Sequence, residues 1–338
     1  MATVEFSNLG RSGLKVPALW LGTMMFGDQT DEAEARNIVD ATRDAGLNAI
    51  DTADNYANGE SERMVGKLIA KDRDRWILAT KVANPVGQAP NDRGLSRRWL
   101  LKEVDNSLQR LQSDWIDVYY MHRDDESTPI EETLSTFARL IELGKIRYYG
   151  VSNFRSWRVA RMVETARHMG IPQPIVCQPP YSAVTRQIET ELLPCCDHYG
   201  VGVVAYSPLA RGVLTGKYKP GTAPEAGSRA ARGDKRILQT EFRPESLEVS
   251  QALCAHAAQR GLSPTQFAIA WVLNNQRIQG VIGGPRTLAQ WQDYVAALSV
   301  KLSAEDEAVV DRWVPQGHAS THGYNDPQYP LTGRVAKP

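Results

Sequence analysis

An apolar run that ends in polar side chains occurs three times in succession, in NAIDTADNYANGE (48–60), WILATKV (76–82) and IDVYYMH (116–122). The polar side chains at these ends are those of Asp51, Tyr56, Lys81 and His122. In a parallel α/β protein the carboxyl ends of the strands share one rim, and catalytic groups are placed there. The three stretches therefore predict neighbouring parallel strands that bring an acid, a tyrosine, a lysine and a histidine together.

The same alternation of apolar runs and helix-periodic stretches continues along the chain. Further runs of strand length are ALWLGTM (18–24), IRYYGVS (146–152), PIVCQPP (174–180), GVVAYSP (202–208) and IQGVIGG (278–284). Amphipathic stretches between the runs include 31–46, 96–112, 129–144 and 156–170. Eight βα units in order predict an α/β fold of the (β/α)8 TIM-barrel type. A doubly wound sheet is the alternative, but GTMMFGDQT (22–30) after the first strand lacks the GxGxxG fingerprint of such sheets.

Three segments fall outside the eightfold repeat, and we expect them to belong with it to one domain, residues 1–338. Residues 1–17 predict an N-terminal β-hairpin that closes the bottom of the barrel. Residues 217–243 follow the seventh strand and are rich in Gly, Ala and Arg, which predicts a rim loop that acts as a lid. A C-terminal helix is followed by the tail 314–338, which has no periodicity and either crosses the barrel mouth or remains loose.

Composition argues against several classes of function. Lys and Arg together number 39, as do Asp and Glu together, so net charge gives no reason to expect nucleic acid or an anionic membrane as a partner. No apolar stretch approaches the roughly 18 residues of a membrane span. MATVEFSNLG does not resemble a signal peptide, so we expect a cytoplasmic protein. The cysteines form no CxxC pair, which predicts free thiols and no metal site: Cys177, Cys195, Cys196 and Cys254.

The four polar side chains at the strand ends suit proton transfer to a carbonyl oxygen. Tyrosine titrates at about pH 10 in water, so Tyr56 is protonated at neutral pH, and a cationic Lys81 nearby stabilises its phenolate and lowers its pKa. Asp51 behind the lysine keeps it charged, and His122 acts either as a neutral donor or as a proton relay. Each residue alone also fits a structural role, such as a turn cap or a core aromatic. Their joint placement on consecutive strands favours the catalytic interpretation.

The chain resembles an aldo-keto reductase over nearly its whole length, and it is more similar to the bacterial and potassium-channel β-subunit branch than to the aldose reductase branch. The matching stretches are LGTMMFG (21–27), DTADNYANGESE (51–62), ATKV (79–82), GVSNF (150–154), the strand that contains Gln178, AYSPLARGVLTGKY (205–218) and IGGPRTLAQWQDYVAAL (282–298). The resemblance implies that the catalytic tetrad is Asp51, Tyr56, Lys81 and His122, with Tyr56 as the proton donor.

The resemblance also implies that NADP(H) binds in an extended pose across the barrel mouth. Ser152, Asn153 and Gln178 would hold the nicotinamide carboxamide, and Tyr206 would stack on the nicotinamide ring. Arg286 and the helix start that follows it suit a 2′-phosphate. The implied cofactor-binding residues are Gly22, Thr23, Met24, Ser152, Asn153, Gln178, Tyr206, Ser207, Leu209, Arg211, Gly212, Lys217, Gly284, Arg286, Gln290, Asp293 and Tyr294.

The sequence departs from the family pattern at three positions. Many members have Pro where Gly283 stands and Asn where Tyr294 stands, and a tyrosine there would meet adenine by stacking. Arg123 follows the catalytic histidine, where a tryptophan often shapes the pocket, which predicts a more polar pocket unless Asp124 or Asp125 holds the arginine. The expected residues of the substrate-pocket wall are Met24, Phe26, Tyr56 and Arg123, with Phe26 and Arg123 as substrate contacts.

Together these features predict an NADP-dependent oxidoreductase that converts a small-molecule aldehyde or ketone to an alcohol by direct hydride transfer, with Tyr56 as the general acid. The alternative is an NADPH-binding regulatory subunit, like channel β-subunits, with weak or slow reductase activity. A third reading is a TIM-barrel isomerase or lyase without nicotinamide, against which GVSNF, Gln178 and Tyr206 argue. The particular substrate and the oligomeric state are left open.

Overall fold

Eight parallel strands close into a barrel in the computed structural model, which describes residues 4–333. Each strand pairs with its neighbour in sequence, and the last barrel strand pairs with the first to close the ring. The barrel strands are β3 (Leu19–Gly22), β4 (Ala49–Asp51), β5 (Ile77–Val82), β6 (Ile116–Met121), β7 (Ile146–Ser152), β8 (Val176–Gln178), β9 (Gly202–Tyr206) and β10 (Gly280–Gly283). The prediction of a (β/α)8 TIM barrel is confirmed, and the doubly wound alternative is wrong.

Helices surround the barrel, and the predicted amphipathic stretches correspond to four of them, α1, α3, α4 and α5. The helices are α1 (Glu32–Asp44), α2 (Glu60–Ile69), α3 (Arg97–Leu111), α4 (Ile130–Glu142), α5 (Ser156–Met169), α6 (Leu192–Tyr199), α7 (Lys235–Gln239), α8 (Pro244–Gln259), α9 (Pro264–Leu273), α10 (Leu288–Ala296) and α11 (Ala304–Trp313). Short 3-10 turns include Tyr56–Gly59 after β4 and Ala210–Thr215 after β9. The predicted C-terminal helix is α11.

Burial and capping explain why these segments adopt their local structure. Every residue of β5 is buried, as expected for a parallel strand that is covered on both faces. Asp31 caps the start of helix α1, because its side chain accepts a hydrogen bond from the backbone N–H of Glu34 at 2.9 Å. Gly170 caps the end of helix α5 and adopts a left-handed φ of 65°. Local sequence and burial therefore agree on where these elements begin and end.

The N-terminal hairpin, β1 (Phe6–Asn8) and β2 (Lys15–Pro17), closes the amino end of the barrel. Leu9 at its turn is fully buried in a core cluster inside the barrel. A Cβ atom on Gly10 would lie only 2.4 Å from the carbonyl oxygen of Gly200, so a larger residue would not fit there. The hairpin prediction is confirmed for the described part, and its first three residues lie outside the described range.

The opposite end of the barrel is covered by the lid (217–243) and the tail (314–333 of the described chain). The lid was predicted as a loop and contains helix α7, which Asp234 caps by accepting the backbone N–H of Arg236 at 2.9 Å. Asp326 of the tail pairs with the Arg236 guanidinium through bonds of 3.0 and 2.7 Å. The tail thus crosses the barrel mouth, although residues 334–338 lie outside the described range. Within residues 4–333, every helix is too short or too polar to cross a membrane.

Candidate functional site

A cavity of about 660 Å³ lies at the carboxyl ends of the barrel strands. Every residue that the sequence suggested for cofactor binding lines this cavity, from Gly22 on β3 to Tyr294 on α10. Asp51, Tyr56 and His122 line it as well. Lys81 is fully buried and bonds to Asp51 and Tyr56 from below the lining. The structure therefore brings the predicted tetrad and the predicted cofactor residues to one place.

Three members of the predicted tetrad, Asp51, Lys81 and Tyr56, form a hydrogen-bonded chain at the floor of the cavity, and His122 packs beside it. Lys81 Nζ donates to Asp51 Oδ1 at 2.5 Å and to the carbonyl oxygen of Thr52 at 2.8 Å. The same ammonium group lies 3.2 Å from the hydroxyl oxygen of Tyr56. The rings of Tyr56 and His122 meet edge to face, with centroids 5.8 Å apart. Strand register explains this arrangement, because β4, β5 and β6 are adjacent and end at the same rim.

Burial and neighbouring charges set the protonation states of Lys81 and Tyr56 at the floor of the cavity. Burial lowers the pKa of Lys81, but Asp51 and Tyr56 outweigh it and the pKa lies above its ordinary value, so the lysine is a cation. Burial raises the pKa of Tyr56, and Lys81 only partly opposes that rise. The expected lowering by Lys81 is therefore present, but burial outweighs it, and the pKa of Tyr56 lies above its ordinary value.

His122 is neutral at physiological pH. Burial moves the pKa of His122 well below its ordinary range, and the positive charges of Lys81 and Arg123 act in the same direction. Of the two roles considered from the sequence, a neutral donor and a relay that takes up a proton, this environment favours the neutral donor. The imidazole Nδ1 lies 3.0 Å from the side-chain amide nitrogen of Asn84.

A polar network connects the floor to the next strands of the barrel. Gln178 Nε2 donates to Asp51 Oδ2 at 2.9 Å, and Ser152 Oγ donates to the carbonyl oxygen of Gln178 at 2.8 Å. Asn153 has a left-handed φ of 61°, and its side chain donates to the carbonyl oxygen of His122 at 2.9 Å. Tyr206 donates its hydroxyl to Asn153 Oδ1 at 2.7 Å. The residues expected to hold a carboxamide are thus held in place by one another.

The other end of the cavity is cationic. Lys217, Arg229, Arg232 and Arg286 all line it, and burial together with the three arginines lowers the pKa of Lys217. Arg229 pairs with Asp234 at 2.7 Å. Within residues 4–333, the other three cations have no carboxylate partner within 4.0 Å. Uncompensated cations in a cavity favour an anionic ligand.

The start of α10 differs from the expectation for a phosphate site. The backbone N–H of Leu288 donates to Glu34 Oε1 at 2.6 Å, so a carboxylate of α1 already occupies this helix N-terminus. Arg286 is placed beside it, with its backbone N–H bonded to Gln290 Oε1 at 2.8 Å. A phosphate at this end would therefore be met by cationic side chains rather than by that backbone N–H group.

Two departures from the family pattern, Gly283 and Tyr294, depend on each other sterically. A Cβ atom on Gly283 would lie 2.5 Å from Cδ2 of Tyr294, a separation that real Cβ atoms do not show. The glycine thus makes room for the tyrosine ring, which is buried and lines the cavity. Asp293, next to it, accepts hydrogen bonds from Ser263 Oγ at 2.8 Å and from Gln266 Nε2 at 2.9 Å.

The two expected substrate contacts do not line the cavity. Phe26 follows a tight turn, in which its N–H bonds to the carbonyl oxygen of Thr23 at 3.0 Å, and its ring is fully buried in the hydrophobic core. Arg123 also lies outside the lining, and Asp124 pairs with Arg158 at 2.6 Å instead of holding it. These two assignments to the pocket wall are therefore not supported, because the direction of a side chain after a strand end depends on the turn that follows.

Several lining residues escaped sequence reasoning. They lie in turns and cover segments without periodicity: Met25, Gln29, Asn55, Asn84, Arg229, Arg232, Arg236, Gln328 and Tyr329. The arginine content of the lid was the one available signal for the three lid arginines that line the cavity. Tyr329 lies in the tail, where Arg155 donates to its carbonyl oxygen at 2.6 Å and so anchors the tail over the cavity.

Comparisons with known proteins show to which family the chain is similar. The profile of the Aldo/keto reductase family matches residues 18–314. The chain is 37% identical over 302 residues to a probable voltage-gated potassium channel subunit beta of Oryza sativa subsp. japonica, which covers 88% of this chain and 92% of that one. It is 38% identical over 316 residues to the uncharacterized oxidoreductase YrpG of Bacillus subtilis (strain 168), with coverage of 89% and 93%. It is 34% identical over 324 residues to the L-glyceraldehyde 3-phosphate reductase of Escherichia coli (strain K12), with coverage of 93% for each chain. The chain therefore belongs to the aldo/keto reductase family and is an oxidoreductase.

Proposed function

We propose that the protein reduces aldehydes or ketones to alcohols with NADPH and that Tyr56 is the general acid. The observation that carries this proposal is the hydrogen-bonded chain of Asp51, Lys81 and Tyr56 beside the neutral His122, at the floor of one large cavity. A protonated hydroxyl held by a buried cation, next to a neutral imidazole, suits protonation of a carbonyl oxygen.

The lining of the cavity fits a dinucleotide with an additional phosphate. Lys217, Arg232 and Arg286 provide cations at one end, and Gly212 lies so close to Lys217 that a Cβ atom would be 2.8 Å from Nζ. Ser152, Asn153 and Gln178 provide amide and hydroxyl groups at the other end for the nicotinamide carboxamide, with Tyr206 as the stacking surface. When bound, NADPH would supply the hydride. We infer a preference for NADPH over NADH from the excess of cations.

The chain's own residues then handle the proton. Tyr56 gives its hydroxyl proton to the carbonyl oxygen, and the Lys81 ammonium group, 3.2 Å from that hydroxyl, stabilises the phenolate that remains. Asp51 orients the lysine and is itself held by Gln178. Because Asp51, Lys81 and Gln178 are buried, the electrostatic interactions among them are stronger than they would be in water.

The substrate we propose is a small carbonyl compound. Beyond the residues assigned to the cofactor, the lining mixes apolar, amide and aromatic side chains, among them Met25, Asn84 and Tyr329. The relative in Escherichia coli is named as an L-glyceraldehyde 3-phosphate reductase. We therefore place this phosphorylated aldehyde in the substrate panel together with neutral aliphatic and aromatic aldehydes.

The test is cofactor binding followed by turnover. Quenching of the fluorescence of the eight tryptophans would report NADPH and NADH binding, and loss of absorbance would report oxidation with each carbonyl compound. We expect Tyr56→Phe to bind NADPH normally but to reduce carbonyl compounds about 100- to 10,000-fold more slowly. Tyr199→Phe, on α6 and outside the cavity lining, is the matched control. Near wild-type turnover by Tyr56→Phe would show that Tyr56 is not the acid.

A second candidate function is an NADPH-binding regulatory subunit with slow turnover. Relatives from Oryza sativa subsp. japonica and Arabidopsis thaliana are named as probable potassium channel β-subunits, each 37% identical to this chain. The same experiment separates the two functions. Tight NADPH binding with rapid turnover of any carbonyl compound supports the reductase, whereas tight binding without turnover across the panel supports the regulatory subunit.

A further inference from the structure

Within residues 4–333, Asn84 is the one residue whose side chain hydrogen-bonds the imidazole of His122. It lies two residues beyond the end of β5, and its amide nitrogen Nδ2 is 3.0 Å from His122 Nδ1. Both residues line the cavity. The other imidazole nitrogen, Nε2, has no hydrogen-bond partner among the described residues and is not sealed from the cavity. The contact therefore leaves one edge of the ring free for a ligand.

The chemistry of this contact determines where the imidazole proton resides. A neutral imidazole has one N–H donor and one acceptor nitrogen, and an amide NH2 group can only donate. If Asn84 Nδ2 faces Nδ1, Nδ1 must be the acceptor and the proton is on Nε2. The opposite amide orientation would place Oδ1 against Nδ1 and move the proton there. With the amide nitrogen of Asn84 against Nδ1, Nε2 offers a hydrogen-bond donor to the cavity. With the amide oxygen against Nδ1, Nε2 offers an acceptor.

The backbone before Asn84 indicates that its position is enforced. Ala83 is buried and has a φ of 112°, a conformation that a residue with a side chain rarely adopts. The backbone N–H of Gly94 donates to the carbonyl oxygen of Ala83 at 2.9 Å. The backbone N–H of His122 donates to the carbonyl oxygen of Val82 at 2.8 Å. Such strain persists only where the surroundings hold it, and it concentrates at functional sites. Here it turns the chain so that residue 84 reaches the histidine.

We propose that Asn84 is a positioning residue that fixes the Nε2–H tautomer of His122, so that the histidine donates a hydrogen bond to the carbonyl oxygen beside Tyr56. This inference rests on the proposed carbonyl reduction for its use, but the tautomer itself does not depend on turnover. In this arrangement the substrate oxygen is met by two donors, the hydroxyl of Tyr56 and Nε2–H of His122. Asn84 itself touches no reacting atom.

The direct test is nitrogen-15 NMR of the imidazole in the full-length protein labelled at histidine. The chain has six histidines, so the His122 signals are assigned as those lost in His122→Gln. We expect the wild-type signals of a neutral ring protonated at Nε2. A wild-type ring protonated at Nδ1 would overturn the proposal. Because this measurement needs no substrate, an inactive protein with an Nε2–H ring would disprove the reductase function but leave the tautomer assignment standing.

The variant Asn84→Asp replaces the amide donor that faces His122 Nδ1 with a carboxylate acceptor. A carboxylate accepts from Nδ1–H, so we expect the proton to move to Nδ1 and the pKa of His122 to rise into the assayed range, which adds an inflection to the pH profile of kcat. Because the donor His122 Nε2–H would be lost from the substrate oxygen, turnover should fall about 100-fold, the effect of removing one donor to a developing oxyanion. NADPH binding should be unchanged. Unchanged turnover and an unchanged nitrogen-15 spectrum would contradict the proposal.

Two further variants keep the test decisive if Asn84→Asp folds poorly. Asn84→Ala removes the contact without adding charge, so we expect both tautomers in the spectrum and a smaller loss of kcat. If its ring stays protonated at Nε2 alone, Asn84 does not set the tautomer. Asn8→Asp makes the same chemical change on the exposed hairpin at the far end of the barrel and should leave spectrum, pH profile and turnover as in the wild type.

Discussion

The floor of the cavity and its cover are built in opposite ways. On the floor, Lys81 and Asp51 are almost fully buried within adjacent strands, and their hydrogen bonds replace those that water would make. The cover consists of the lid and the tail, which meet at the ion pair of Arg236 and Asp326, whose side chains are 26% and 22% exposed. The floor is therefore held by the barrel itself, and the cover is held by contacts that water partly screens.

This difference matches the separate demands that the proposed carbonyl reduction would make on the two regions. Proton transfer requires groups held at fixed distances in a dry environment, which strand ends in a closed barrel provide. Entry and release of a dinucleotide require a cover that opens, and partly hydrated ion pairs contribute little free energy and break readily. We expect changes in the floor to abolish chemistry and changes in the cover to alter the rates of ligand exchange.

The largest expected effect comes from Lys81→Met. It removes the cation that stabilises the Tyr56 phenolate and leaves Asp51 buried without its partner, so we expect carbonyl reduction to fall at least about 100-fold and the free energy of unfolding to fall by about 3–5 kcal/mol. Turnover and thermal or denaturant unfolding measure the two effects. Lys67→Met, at an exposed lysine of α2, is the control.

A double variant separates stability from chemistry at the same place. Asp51→Asn combined with Lys81→Met removes both buried charges, so we expect much of the lost stability to return while reduction stays slow. Recovery of turnover along with stability would mean that Lys81 acts only as a structural residue and that the floor holds no catalytic cation.

A smaller effect is expected from Gly283→Ala, beside Tyr294 in the cavity lining. The new Cβ atom would lie 2.5 Å from Tyr294, so the tyrosine ring must move, at a cost of about 1–3 kcal/mol. We expect weaker NADPH binding by fluorescence titration with kcat at saturation nearly unchanged. Adding Tyr294→Asn should restore space and much of the affinity. Gly13→Ala, where nothing lies within 4 Å of the added atom, is the control, and equal affinities in all variants would refute the packing argument.

The smallest expected effect is on the cover, from Asp326→Asn. It weakens the two bonds from Arg236 that join the tail to the lid, and for a partly exposed pair we expect a difference of about 1 kcal/mol, or about fivefold faster NADPH dissociation in stopped-flow measurements. High salt should reduce that difference. Asp311→Asn, which breaks the pair with Arg186 away from the cavity, is the control. Identical NADPH dissociation rates in both variants would show that the lid–tail contact does not control NADPH release.

Predictability from the sequence differed between the strand ends and the turns and tail that follow them. Asp51, Lys81 and His122 were located because an apolar run that ends at a polar residue marks the rim of a parallel barrel. Phe26 and Arg123 do not line the cavity, since a turn after a strand end can direct a side chain into the core or away from the lining. Asn84 and Tyr329 were missed because no periodicity reports the contacts of turns and tails.

The sequence by itself determined the barrel, the order of its units and the identities of the groups at its rim, because burial of alternating strands and helices depends on local patterns of apolar residues. Only the tertiary structure decided the protonation of those groups and the shape of the cavity. The pKa of Tyr56 rises through burial despite Lys81, and the ring of Tyr294 fits only because position 283 is a glycine. Desolvation and close packing act between residues far apart in the chain, so no local pattern encodes them.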